Sequence, residues 1–177
     1  MSYNPVHILD IILVDLEMLD LQIRKAHLAE TIDITIYDIE LFNYFITQID
    51  CSKIVGLHFQ DVEETASING EEFIKLEDLT ISCSFTVESP FSQPIDVFVD
   101  HEYIDGIQKL GSIRNLSVNL YLPIDKKTIN NIIIHLSWYK GTLYLHGLGE
   151  DCVQQIETLY CKTFYYDGPH AVQIIRN

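Results

Sequence analysis

Basic residues are scarce in this 177-residue chain: 11 Lys and Arg stand against 26 Asp and Glu, for a net charge of −15. A field of that sign repels phosphate backbones and anionic lipid headgroups, so nucleic acid and membrane surfaces are excluded as expected partners. Cysteine is scarce too. Cys51, Cys83, Cys152 and Cys161 form no CxxC and no disulfide or metal-ligand spacing, which fits reduced thiols in a cytoplasmic protein. The first apolar run is broken by Asp10, Asp15, Glu17 and Asp20 and has no basic segment before it, so neither a signal peptide nor a membrane span is expected. The Asn115-Leu116-Ser117 sequon is then without consequence. GxSxG, HExxH and HxH are all missing. The expectation is a protein that is not an enzyme and carries no cofactor or metal.

What is there is a real core and a lopsided charge. Hydrophobic content of 47% supports one folded unit over residues 1–177, burying roughly two thirds of its unfolded surface. Residues 1–108 hold 21 acids against Arg24, Lys25, Lys53 and Lys75, while residues 109–177 hold five acids against seven basic residues. The first three fifths thus carry −17 and the remainder +2, a polarity that steers a basic partner.

Asn4-Pro5 opens a helix expected over about residues 5–28, with Leu9, Ile12, Leu16, Leu19, Ile23 and Ala26 on one face. Its back, with Ile11, Leu13, Val14, Met18 and Leu21, is also apolar, implying burial on two sides or contact with another chain; its β-branched residues leave a strand as the rival reading. Ile32, Ile34 and Ile36 alternate as a strand, and Asp38 caps a helix carrying Phe42, Phe45, Ile46 and Ile49. Ile54 to Phe59 reads as a strand. The acidic stretch from Asp61 to Glu72 reads as a loop or hairpin tip. Further strands are expected at 79–88, 95–99 and 116–122, a helix from Glu150 with Val153, Ile156, Tyr160 and Phe164 on one face, and a last strand from Ala171 to Ile175. Lys140-Gly141 reads as the turn of a hairpin over 129–149. One face of it is Ile134, Leu136, Trp138, Leu143 and Leu145, and the other is His135, Ser137, Tyr139, Thr142, Tyr144 and His146. Strands apolar on one face only are characteristic of antiparallel sheets. The expected class is α+β: a mainly antiparallel twisted sheet with an N-terminal helix and one or two further helices on one face, and no internal repeat.

Three constellations invite chemistry. Gly147-Leu148-Gly149 has the place of a dinucleotide loop, but Cys152 replaces the third glycine, and Glu150 and Asp151 would repel a pyrophosphate. His135 and His146, paired across the expected hairpin, lack an evident third metal ligand, with His170, Cys152 and Asp167 the nearest guesses; they read as surface residues. Asp96, Asp100, Glu102 and Asp105 do not match a calcium loop. With Asp61, Glu63, Glu64, Glu71 and Glu72 they form instead nine acids in two segments that can face one basic partner, supplemented by the hairpin's outer Tyr139 and Tyr144.

In charge, size and its Ile-, Asn- and Tyr-rich composition the chain resembles the immunity proteins of bacterial polymorphic toxins, including those of contact-dependent growth inhibition. The resemblance implies a tight one-to-one complex with a cognate toxin, such as a basic nuclease, made in the same cell and blocked at or beside its active site. Small acidic dimeric secretion chaperones share the general character, and a small enzyme is the third reading.

Overall fold

A computed structural model describes residues 8–121, 124–147, 163–166 and 171–175. The chain begins with strand β1 (Ile8–Leu13), in which Ile11 and Leu13 are buried while Ile8 and Ile12 are exposed, the two-residue period of a strand. It continues as α1 (Leu19–Leu28), β2 (Thr31–Ile36), α2 (Ile39–Gln48), β3 (Ile54–Phe59), β4 (Ala66–Asn69), β5 (Asp78–Ile81), β6 (Phe85–Ser89), β7 (Phe91–Asp100), β8 (Gly111–Asn119), α3 (Lys126–His135), β9 (Thr142–His146), β10 (Thr163–Tyr166) and β11 (Ala171–Ile175). The main sheet has the order β1-β2-β3-β5-β7-β8-β9-β11-β10, and β4 pairs with β6 separately. The first seven of these strands are mutually parallel, and β11 and β10 add on antiparallel.

Each parallel strand lies beside the next one in the chain, so the sheet advances in a single direction. Crossovers between parallel strands are right-handed, and a sheet that never reverses sends all of them over the same face. That face is filled. Inward residues such as Ile34, Leu57, Leu79, Val97, Leu116 and Leu143 share one core with Leu19 and Ala26 of α1, Phe42 and Phe45 of α2, and Ile129, Ile132 and Ile133 of α3. Phe42 packs edge-on against Phe59 with ring centroids 5.4 Å apart. Among the described residues no helix covers the opposite face.

The class is therefore α/β, with a mostly parallel sheet and three helices, and the expected α+β antiparallel arrangement is corrected. One-sided strands were the basis of that expectation, and single-direction stacking is the arrangement in which parallel strands are one-sided too. An internal repeat also exists. β1, β2 and β3 start at residues 8, 31 and 54, a period of 23 residues, within the range of strand–helix solenoids.

Three local expectations hold. Asp38 caps α2, its Oδ1 accepting the Leu41 amide at 2.9 Å, and β2 and β3 lie where alternation placed them. Two fail. The expected N-terminal helix is a strand followed by a shorter helix. The expected hairpin is α3 followed by β9: Asp125 Oδ1 accepts the Thr128 amide at 2.7 Å, and Ile129, Ile132, Ile133 and Leu136 are buried at i, i+3, i+4 and i+7. Gly141 is not a positive-φ turn residue; a Cβ there would collide with the Tyr139 ring. The expected strand at 79–88 is broken into β5 and β6, and Phe164 lies in β10 rather than on a helix. Asn4-Pro5, Leu122, the stretch 148–162 and residues 167–170 lie outside the described residues. Among the described residues no helix is long and apolar enough to cross a membrane.

Leu57→Ala should cost about 2–5 kcal/mol of unfolding free energy, whereas Ile12→Ala, on the open face of the same sheet and 54% exposed, should cost under about 1 kcal/mol. Urea denaturation of the two variants checks the one-sided core.

Candidate functional site

Parallel register stacks the open-face residues into rows. One row runs Asp10, Asp33, Gly56, Asp78, Asp96, Asn115, Thr142, and the next runs Ile12, Thr35, His58, Thr80, Phe98, Ser117, Tyr144. A third begins at the strand ends with Asp100, Asn119 and His146. The repeating unit is an Asp or Asn, an apolar residue, a variable residue and a second apolar residue: Asp10-Ile11-Ile12-Leu13, Asp33-Ile34-Thr35-Ile36, Asp78-Leu79-Thr80-Ile81, Asp96-Val97-Phe98-Val99 and Asn115-Leu116-Ser117-Val118.

Neighbouring strands are about 4.8 Å apart, so four aspartates in one row repel unless each is compensated. Asp96 is compensated from the side. Arg114 Nε lies 2.9 Å from its Oδ1, and Asn115 Nδ2 donates to the same oxygen at 3.0 Å. Asp33 leans sideways over Gly56, where a Cβ would sit 2.6 Å from Asp33 Oδ2, and its Oδ1 meets His58 Nε2 at 2.9 Å. The other ring nitrogen of His58 is 2.8 Å from Thr80 Oγ1. A Cβ at position 56 would push the Asp33 carboxylate aside, so glycine there leaves room for the Asp33–His58 pair.

Asp78 lacks a hydrogen-bonding or ion-pairing side chain among the described residues. Desolvation against the sheet, then the charges of Asp96 and Glu77, push its pKa above the ordinary carboxylate value. It borders an open depression of about 400 Å³ lined by His58, Thr80, Asp96, Phe98, Asn115, Ser117 and Tyr144. The depression thus holds a carboxylate on which burial and the neighbouring acids outweigh the charges of His58 and Arg114, with Phe98 and Tyr144 further along its lining, a chemistry suited to an ammonium or guanidinium group. At its upper end Asp100, buried, accepts from Asn119 Nδ2 at 3.0 Å and from the Tyr121 hydroxyl at 2.8 Å. The His146 ring stacks obliquely near Phe98, with centroids 5.5 Å apart, and burial lowers its pKa.

The acids expected to act together are divided by the fold. Asp96 and Tyr144 lie on the open face. Asp61, in a left-handed conformation with φ 49°, follows β3 and acts on Tyr121 through its charge. Glu63 and Glu64 are exposed before β4. Glu71 and Glu72 lie on a short 3-10 turn, where Glu72 accepts from Asn69 at 2.8 Å and borders a separate depression with Cys51 and Ile74. Glu102 is exposed beyond β7, and Asp105 meets His135 Nε2 at 3.2 Å. His135 and His146 thus belong to a helix end and a sheet face, not to one strand pair. Tyr139, expected on an outer surface, is 4% exposed and donates its hydroxyl to the Arg114 carbonyl at 2.8 Å. Asp10, Asp33, His58, Asp78 and Phe98 escaped the sequence reading, although the recurrent Asp-apolar-x-apolar unit was there to be found. Among the described residues no cluster of three or more His, Cys, Asp or Glu is arranged to hold a metal ion.

Comparison with protein-family models, curated proteins and solved structures finds no match to this chain, so the functional reading rests on geometry and chemistry.

The raised pKa of Asp78 has a definite sign. The folded state holds this proton more tightly than the unfolded chain, so the ionised carboxylate subtracts stability as pH rises above the ordinary value of 3.8. Asp78→Asn should therefore raise the thermal midpoint at pH 7 and change it least below pH 3.8, as read by unfolding scans across pH.

Proposed function

We propose that this chain is an acidic protein inhibitor of the immunity-protein kind, and that its open sheet face receives a basic segment of a partner, such as a nuclease toxin made in the same cytoplasm. The observation that supports this reading most is the aspartate row, above all Asp78, a carboxylate disfavoured by burial and by neighbouring acids at the edge of a depression. A guanidinium or ammonium group entering beside Phe98 and Tyr144 relieves the repulsion between Asp78 and Asp96 and gains the aromatic faces. Binding then restores the stability that the unpaired acid takes from the free protein. The net charge of −15 contributes at longer range, raising the rate of encounter with a cationic surface. The polar rows form a rigid surface because every strand bearing them is anchored in the core beneath, so little ordering accompanies association.

A nona-arginine peptide titrated calorimetrically at low salt should bind, and Asp78→Lys should weaken that binding by at least about tenfold. In about 0.15 M salt, where the screening length falls to about 8 Å, reversal of Glu63, Glu64, Glu71 and Glu72 to Lys should weaken it far less than Asp78→Lys does, because those acids do not line the depression. The Asp78→Lys chain should also fail to protect cells expressing a basic toxin encoded beside it. Equal losses from both variants would shift the interface to the Asp61–Glu72 segment.

A further inference from the structure

The end of the sheet at β1 differs from the rest of the surface. Seven of the twelve exposed large apolar residues among those described lie between Ile8 and Leu28; Ile8 and Ile12 belong to the open sheet face, while the other five lie on or just before α1, Leu16 being 73% and Leu28 84% exposed. In stacked-repeat folds the terminal unit ordinarily turns a polar face outward, since nothing follows to cover it. Here α1 does the opposite. Helical geometry sets Leu21 and Leu28 diametrically opposite Leu19 and Ala26, the two α1 residues buried in the core, so its outer side exposes two leucines with Arg24 and Lys25 between them. A patch of this kind marks an interface.

Two observations identify what covers it. The free edge of β1 is partly occupied by a side chain. Leu13 gives its carbonyl to the Tyr37 amide on the β2 side at 3.1 Å, so alternation turns the Ile12 carbonyl toward the open edge, where Gln22 Nε2 already donates to it at 2.6 Å. The exposed apolar side chains at this end are offered by α1 and the turn before it. The charges beside the apolar stripe are self-complementary: Glu17 lies just before α1, and Arg24 and Lys25 follow Leu21 on the same side. An antiparallel pair of α1 helices crossing at Leu21 sets each Glu17 beside Lys25 of the other copy and brings the two Leu21 side chains together. A two-fold arrangement of identical chains satisfies both ends at once. We propose that a second copy of this chain packs against the α1 end, with the two α1 helices antiparallel about Leu21. The open sheet face is left free in each copy, so this contact is independent of the inhibitor reading.

Sedimentation velocity of the full chain over about 1–100 μM should show a dimer. Leu21→Glu with Leu28→Glu should yield a monomer of unchanged circular dichroism, both leucines being exposed; if that variant loses its fold, Leu21→Ser with Leu28→Ser replaces it as the test. Lys25→Glu should weaken the dimer roughly tenfold, and adding Glu17→Lys should restore it. A wild-type chain that stays monomeric, as it does if this face serves a different protein, overturns the proposal. So does a dimer indifferent to the leucine substitutions, or a charge exchange that fails to restore association.

Discussion

Burial of one face of a parallel sheet is the constraint on which everything else in this protein depends. Alternation commits every second residue of each strand to the layer beneath the helices, and Ile, Leu, Val and Phe take nearly all of those positions. Each such side chain contributes about 1.5–3 kcal/mol when fully buried, so slippage by one residue would forfeit a whole strand's worth at once. Register is held by this penalty. Once it is held, the residues between the buried ones are stacked into straight rows whether or not they are comfortable neighbours.

The aspartate row is the discomfort that follows. An acid at the same point of successive repeats gives adjacent carboxylates, and each is handled differently: Asp96 by Arg114 and Asn115, Asp33 by leaning across Gly56 to His58. Among the described residues Asp78 is left without a hydrogen-bonding or ion-pairing side chain, at a cost in stability that a solely structural role does not explain. Proteins that surrender stability at one position commonly do so where a ligand restores it. The face is firm as well as acidic, because the core beneath the strands that carry it is continuous from β1 to β9.

Much of the local structure was legible in the residues. Asp38 and the Phe42, Phe45 pattern announce α2, and alternation in 32–36 and 54–59 announces two strands, since each signal depends only on near neighbours. The errors have local causes too. The β-branched run Ile132-Ile133-Ile134 favours a strand by propensity, yet the cap at Asp125 and the i, i+3, i+4, i+7 burial make it helical. At the start of the chain the same competition runs the other way, with a helical spacing of apolar residues overruled by pairing of β1 to β2.

By itself the sequence determined the charge and its asymmetry, the absence of recognisable catalytic motifs, and the positions of those elements whose periodicity is unambiguous. Only the tertiary structure decided that the strands run parallel and in a single direction, because strand orientation depends on which face the crossovers take, and that is a property of distant segments. It alone brought Asp10, Asp33, Asp78 and Asp96 into one row and separated them from Glu71, Glu72 and the buried Tyr139. Charge can be counted along a chain, but a surface is made by register, and register is set where the core closes.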